Sequence, residues 1–328
     1  MTDRHTSIPG ICLVFPCYNE EEVLPDLLRT LRALDLGIPT RFLFIDDGST
    51  DGTLQLLQAA CQSDHQMAYL SFSRNFGHQV AVSAGLKYAR GDLVAVLDAD
   101  LQDPPELLNQ FIAKWRDGYD VVYGIRTNRK EPWFLRVCYN SFYHLLSKTA
   151  NIRIPRDAGD FALMDRKVVD VINSLPEHNR FVRGLRGWVG FQQVGIKYAR
   201  PARHAGRPSY NMKRLTRLAL DGLLSSSSAP LRLSAWLGAG AAFLGFCYLV
   251  YALSVFLSGK DLPEGWTSTV VLILFLGGVQ LMVLGILGEY LGRIFDEVKG
   301  RPHYVMNECA GWLTEPDRIK ERRVLDGD

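Results

Sequence analysis

Short apolar runs alternate with amphipathic stretches through the first 125 or so residues of this 328-residue chain. The runs at 11–15, 41–45, 68–72, 93–97 and 120–123 predict strands. They are too uniformly apolar for strands with one wet face, which favours a mainly parallel sheet covered on both sides. Helices are expected between them, over 22–34, 53–61, 79–89 and 104–115. The last carries a start signal, with Asp103 as N-cap, prolines in the first turn and Glu106 at the third position. Pro25 disfavours a start of the first helix as early as Glu20. This alternation predicts an α/β doubly wound domain, whose ligands bind beyond the carboxyl ends of the strands.

The pattern then changes. Residues 233–257 and 267–288 form stretches of 25 and 22 residues without a charge. At about 1.5 Å per residue, helices of that length cross the ~30 Å hydrocarbon core of a bilayer. Soluble core helices rarely run so far without a polar face. Lys213, Arg214, Arg217 and Arg232 precede the first stretch, and Arg293, Lys299 and Arg301 follow the second. The connecting loop has only Lys260, set against Asp261 and Glu264. Both ends of the hairpin, and the large domain before it, are therefore expected on the cytoplasmic side. Residues 133–147 and 210–224 mix aromatic or leucine positions with basic ones. Each suits a helix lying on a membrane surface, with packing inside the domain as the alternative.

Composition adds exclusions. A net charge of +2 suggests no nucleic-acid partner. Six cysteines, at 12, 17, 61, 138, 247 and 309, show no CxxC pair and no ligand-like spacing with histidine, and read as reduced thiols. The polar start MTDRHTS precedes only a short apolar run, so no signal peptide is expected. Ser225–Ser228 reads as an interfacial junction.

The candidate chemistry sits at strand ends: Pro16-Cys17-Tyr18-Asn19-Glu20, Asp46-Asp47-Gly48-Ser49, and Asp98-Ala99-Asp100-Leu101-Gln102-Asp103. Like charges brought together repel, and a hard cation such as Mg²⁺ or Mn²⁺ removes that problem by taking carboxylate and phosphate oxygens. Asp98 and Asp100, two apart, are expected on one side of an extended strand end. Such a site, on a chain held in a bilayer, points to a metal-dependent enzyme that uses a nucleotide and acts on a lipid.

FPCYNEEE, IDDGSTDGT, SFSRNFGHQVAVSAG, GDLVAVLDADLQDPPE and DAGDFALMDRKV resemble the inverting GT-A glycosyltransferases that load sugars onto polyprenyl phosphates. The likeness covers about residues 8–305, includes GVQLMVLGILGEYLGRIFDEVKGRPHY, and leans toward the bactoprenol (undecaprenyl-phosphate) glucosyltransferases. It implies a Rossmann-like GT-A domain over 1–209, an interfacial helix over 210–230, a transmembrane hairpin over 231–292 and a cytosolic tail over 293–328. It also implies residue roles. Pro16, Tyr18, Glu20 and Asp47 would form the floor for base and ribose, with Asp98 near the nucleotide. Asp98, Asp100 and Gln102 would surround the metal and diphosphate. Asp160 would stand near the acceptor, and Arg126 and Arg129 near the phosphates. Many relatives have Gly-x-Ser-Lys-Tyr where this chain reads Gly206-Arg207-Pro208-Ser209-Tyr210, so Ser209 stands at the phosphate-holding lysine and Arg203, Arg207 or Lys213 would supply its charge. Relatives are often tetramers.

The implied reaction moves a hexosyl unit, with UDP-glucose leading and GDP-mannose or other UDP-sugars behind, to a polyprenyl phosphate with inversion. A phosphate monoester is largely ionised at neutral pH, so Asp160 is expected to position the acceptor or sugar rather than to remove a proton. A processive polysaccharide synthase would carry Gln-x-x-Arg-Trp, which is not in the sequence. A non-catalytic membrane scaffold is the reading from another class, and every strand-end carboxylate argues against it.

Overall fold

The predicted alternation folds as β1 (Ile11–Cys17), α1 (Leu24–Ala33), β2 (Thr40–Asp46), α2 (Thr53–Ser63), β3 (Met67–Phe72), α3 (His78–Tyr88) and β4 (Leu93–Val96). A single 3₁₀ turn (Pro105–Leu107) leads into α4 (Leu108–Arg116) and β5 (Val121–Arg126). The computed structural model describes residues 9–126, 158–177, 180–198, 229–258 and 265–313. Its later elements are β6 (Ala158–Asp165), α5 (Arg166–Ser174), α6 (Val182–Trp188), β7 (Gln193–Tyr198), α7 (Ala229–Leu257), α8 (Trp266–Val298) and β8 (Met306–Gly311).

The strands form one sheet in the order β7-β5-β6-β4-β1-β2-β3-β8. The pairs β1–β2, β2–β3, β1–β4 and β5–β7 are parallel, while β6 runs antiparallel to β4 and β5, and β8 to β3. β1 explains the double layer. Ile11, Leu13 and Phe15 join Leu24, Leu27, Leu57 and Phe111 on one face. Cys12 and Val14 join Val82, Leu86, Val168 and Ile172 on the other. A strand whose two sides both meet helices has no polar position to spare, hence its unbroken apolar sequence. Gly85 lets α3 approach closely, since a Cβ there would stand 2.2 Å from a Val14 methyl.

The expectation from Pro25 holds, and the one for Asp103 is corrected. Pro25 falls in the first turn of α1, which starts at Leu24, so its missing N–H costs the helix nothing. Asp103 is not an N-cap: Pro104 occupies that place with extended backbone, and no side chain caps the turn. The Asp103 carboxylate is drawn inward instead, where it is 1% exposed and accepts from the Tyr198 hydroxyl.

The chain divides into two compact units, one of residues 1–139, 152–209 and 301–328, the other of 140–151 and 210–300. In the second, α7 and α8 cover both uncharged stretches and pack on each other. Their outer positions are apolar and exposed, among them Trp236, Phe243, Leu281 and Leu291. Among the described residues, the segment Phe275–Val298 is long and apolar enough to cross a membrane. It reaches ten residues beyond the expected end at 288, taking in the ion pair Arg293–Glu289 at 3.2 Å.

In the first unit, the chain after α8 adds β8 to the sheet edge. Glu308 accepts from Gln58 (2.7 Å) and Tyr69 (3.0 Å), and the Ser73 N–H donates to the Val305 carbonyl (2.9 Å). Tyr304 stacks on Phe72 with ring centroids 4.6 Å apart. Truncating this buried ring leaves a cavity. Tyr304→Ala should lower unfolding free energy by about 2–4 kcal/mol and Tyr304→Phe by under about 1.5, measured by chemical denaturation of the full-length protein in detergent.

Candidate active site

Strand order decides where the chemistry collects. The parallel strands β1 to β4 all end on one edge, and antiparallel β6 begins there. Val96 pairs with Ala162 in that antiparallel register, so two further residues bring position 98 opposite 160. On the other side of β6, Arg126 ends β5 and pairs with Tyr198 at the end of β7.

The loops after β1 and β2 are laced together. The Asn19 N–H donates to Ser49 Oγ (3.0 Å), the Thr50 N–H to the Asn19 carboxamide oxygen (2.8 Å), the Glu20 N–H to Thr53 Oγ1 (2.9 Å) and the Gly52 N–H to Glu21 (2.8 Å). Pro16 lies within β1 beside Ile45, and Tyr18 projects into solvent beyond it. Asp46 and Asp47 are both buried. Asp46 accepts from the Ser71 hydroxyl (2.7 Å) and the Ser49 N–H (3.1 Å). Asp47 accepts from the N–H groups of Phe76 (2.7 Å) and Gly77 (2.9 Å), fixing the loop that leads into α3. Burial raises the Asp47 carboxyl above its usual value, against the pull of those N–H groups. Gly48 makes this close approach possible, with φ +67° and a missing Cβ that would lie 2.3 Å from the Arg74 carbonyl carbon.

The acidic run after β4 differs from expectation. The strand stops at Val96, and 98–101 form a turn in which Asp100 accepts from the Gln102 N–H (3.1 Å) and Leu101 takes φ +55°. Pleat alternation therefore does not set Asp98 and Asp100 on one side. Leu101 tolerates a left-handed backbone because its side chain packs against the core, and the strain is on the order of 1–3 kcal/mol. Gln102 is buried. Asp98 faces Arg126 at 3.5 Å and His78 at 3.9 Å. Burial, then the charges of Asp103, Asp160 and Asp100, push its carboxyl up to about 6, with His78 opposing them.

Asp160 has the opposite balance. Burial would raise it, but the hydrogen bond from His78 (3.3 Å) and the two-pronged grip of Arg183 (3.3 and 3.0 Å) hold it well below the usual carboxylate range. It is an anion at neutral pH. His78 is lowered by burial and raised more strongly by Asp160 and Asp98, so it ends above the ordinary histidine value. Arg126 braces the third side, donating to the Tyr198 hydroxyl (3.2 Å) and lying 3.6 Å from Asp103.

Of the expected site residues, Asp98, Asp160 and Arg126 come together, Pro16, Tyr18, Glu20 and Asp47 line the neighbouring strand ends, and Asp100 and Gln102 close the adjoining turn. Arg129, Arg203, Arg207 and Ser209 lie outside the described residues. Among the described residues no group of three or more His, Cys, Asp or Glu side chains is placed to hold a metal ion. His78, Arg183 and Tyr198 were not anticipated. The signals were present in Phe76-Gly77-His78 at a helix start and in the basic repeat Arg180-x-x-Arg183-x-x-Arg186.

Sheet order and strand-end chemistry place the domain in the GT-A class of glycosyltransferases. The glycosyl transferase family 2 profile matches residues 12–172, and the GtrB C-terminal hairpin profile matches 229–294. The chain is 42% identical over 301 residues to the SfII prophage-derived bactoprenol glucosyl transferase of Shigella flexneri, covering 91% of this chain and 97% of that one. It is 39% identical over 299 residues to the prophage bactoprenol glucosyl transferase homolog of Escherichia coli K12, covering 90% and 98%. Among solved structures it is similar to the mannosyltransferase PcManGT of Pyrobaculum calidifontis in complex with GDP-Man and Mn²⁺, with 17% identity, a TM-score of 0.48, and coverage of 87% and 88%. The chain belongs to glycosyl transferase family 2, in the group that carries the GtrB hairpin and includes the bactoprenol glucosyl transferases.

Arg183 gives the site a direct test. Losing one charge-assisted hydrogen bond of roughly 1.5 kcal/mol corresponds to about tenfold in rate. Arg183→Ala should lower kcat at least that much in a sugar-transfer assay. Arg183→Lys should recover only part, because an ammonium cannot hold both Asp160 oxygens in the guanidinium geometry.

Proposed function

We propose that the protein transfers a glucosyl unit from UDP-glucose to undecaprenyl phosphate with inversion, making a lipid-linked glucose at the cytoplasmic face of a membrane for cell-envelope glycosylation. The observation that carries this reading is a likeness above 40% that runs through catalytic domain and hairpin alike, to proteins named for bactoprenol glucosyl transfer. An acceptor phosphate oxygen attacks the anomeric carbon as the bond from that carbon to the diphosphate breaks. UDP leaves with the electron pair. The acceptor phosphate is already largely ionised near neutral pH, so no strong base is required. Asp160, held anionic by Arg183 and His78, orients the acceptor or a sugar hydroxyl. Arg126, with Arg129 and the basic segment around Arg203, Arg207 and Ser209, balances phosphate charge. Pro16, Tyr18, Glu20 and Asp47 shape the nucleotide side.

The donor chemistry suits Mg²⁺ or Mn²⁺. Burial, then the crowding of neighbouring carboxylates, raises Asp98 to about 6, and a cation bound there would offset both. Two protein carboxylates, Asp98 and Asp100, with Gln102 beside them, would hold the ion, and substrate phosphates and water would complete a shell that the protein alone does not. The bound ion would stabilise charge on the leaving diphosphate. The hairpin of α7 and α8 would anchor the enzyme beside its lipid, turning a three-dimensional search into a local one. The group's frequent tetrameric state is part of the same reading.

Membranes containing the protein, supplied with undecaprenyl phosphate and a panel of radiolabelled sugar nucleotides, should form labelled lipid from UDP-glucose. Label entering lipid from GDP-mannose alone would overturn the sugar assignment. Asp100→Ala should abolish transfer in a folded, membrane-bound protein, and full activity in excess EDTA would remove the metal. For topology, a cysteine placed at 261 should react with an outer-face reagent while one at 320 stays protected. The reverse pattern would put the site away from its nucleotide sugar.

A further inference from the structure

One charged side chain in the catalytic domain has no part in the chemistry above. Arg186 is 2% exposed, and neither its Nε nor its Nη2 has a hydrogen-bond partner among the described residues. Its guanidinium lies over the Tyr123 ring at 5.0 Å, while its carbonyl accepts from Gln193 Nε2 at 2.7 Å, which fixes the end of α6. A buried cation with unsatisfied N–H groups is costly, and a well-packed apolar side chain in its place is often neutral or stabilising. Something other than stability must favour it.

Its position supplies the reason. Arg186 is one helical turn from Arg183, so the two side chains leave α6 on neighbouring faces. Arg183 grips both oxygens of Asp160. We propose that Arg186 is a positioning residue for the transfer: a buried cation one helical turn along α6 from Arg183 that keeps the Arg183–Asp160 pair in place, at the expense of fold stability. Burial lowers Arg186 to about 10, with the charge of Asp160 acting against that fall, so it is cationic at neutral pH. A cation set in a low-dielectric surround acts over a longer reach than one in water. It need not touch substrate to bias the carboxylate.

The test uses the full-length membrane protein and two readouts. The first is independent of the proposed reaction: thermal midpoints of wild type, Arg186→Met, Asp160→Asn and the double variant. Arg186→Met should leave the midpoint unchanged or raise it. The gain should be larger in the Asp160→Asn background by about 2 °C or more, because there the arginine has lost the charge it serves. Additive shifts, or a midpoint well below wild type in Arg186→Met alone, would overturn the inference and assign Arg186 to packing. The second rests on the proposed transfer. Arg186→Met should lower kcat about tenfold or more with KM for UDP-glucose within about twofold, and Arg186→Lys should recover part of the loss. Full kcat in Arg186→Met beside an active wild type would overturn the positioning role. An inactive wild type would instead count against glucosyl transfer to undecaprenyl phosphate, leaving the stability cycle to decide on Arg186.

Discussion

Asp46, Asp47, Asp98, Asp103 and Asp160 converge on the carboxyl edge of one sheet, and the architecture around them is largely the means of keeping them there. Each is handled by different chemistry. Asp46 takes a hydroxyl and a backbone N–H, and Asp47 takes two backbone N–H groups. Asp103 takes the Tyr198 hydroxyl with Arg126 nearby, and Asp160 takes a histidine and a two-pronged arginine. Asp98 lies 3.5 Å from Arg126 and 3.9 Å from His78, and burial, then the neighbouring carboxylates, push it up to about 6. The others are committed to structure or to one another. Added positive charge beside Asp98 would relieve the repulsion among these carboxylates, the physical ground for the cation and diphosphate chemistry proposed at that end of the site.

This division of labour accounts for what was legible in the sequence. β1 to β5 were plain because strands covered on both faces must be continuously apolar, and their ends fell within a few residues of expectation. β6 and β7 were not identified as strands. Ala-Gly-Asp-Phe-Ala-Leu-Met-Asp mixes glycine and charge at positions that serve the site, and the burial of β7 is only partial. β8 has almost no local strand signal. Met-Asn-Glu-Cys-Ala-Gly pairs with β3 through partners some 240 positions away, a long-range constraint that periodicity does not encode.

The site residues divide in the same way. Asp98 could be found because a carboxylate at a strand end is conspicuous, whereas Asp160 was reached only through the family resemblance. Asp103 was misread because Asp-Pro-Pro-Glu has the composition of a helix start, while its surroundings offer a stronger partner in Tyr198 and Arg126. His78 and Arg183 were overlooked because a lone histidine at a helix start and arginines on a short helix are each unremarkable in sequence. They acquire meaning only through the antiparallel register of β6, which carries Asp160 to them.

The strand after the hairpin extends this dependence on distant chain. Tyr304 stacks on Phe72, and Phe72 meets Phe76 edge-on at 5.7 Å. The N–H of Phe76 is one of the donors that hold Asp47, and His78 follows two residues later. The Val305 carbonyl meanwhile receives the Ser73 N–H at the start of the same loop. A segment that enters the sheet only after both apolar helices thus supports the loop presenting His78 to Asp160. The part of the domain that holds Asp47 and His78 is complete only when chain from both sides of the hairpin is in place. A domain cut before α7 would lack β8 and Tyr304, and with them the support beneath Phe76, even though every residue quoted from the strand ends would still be present.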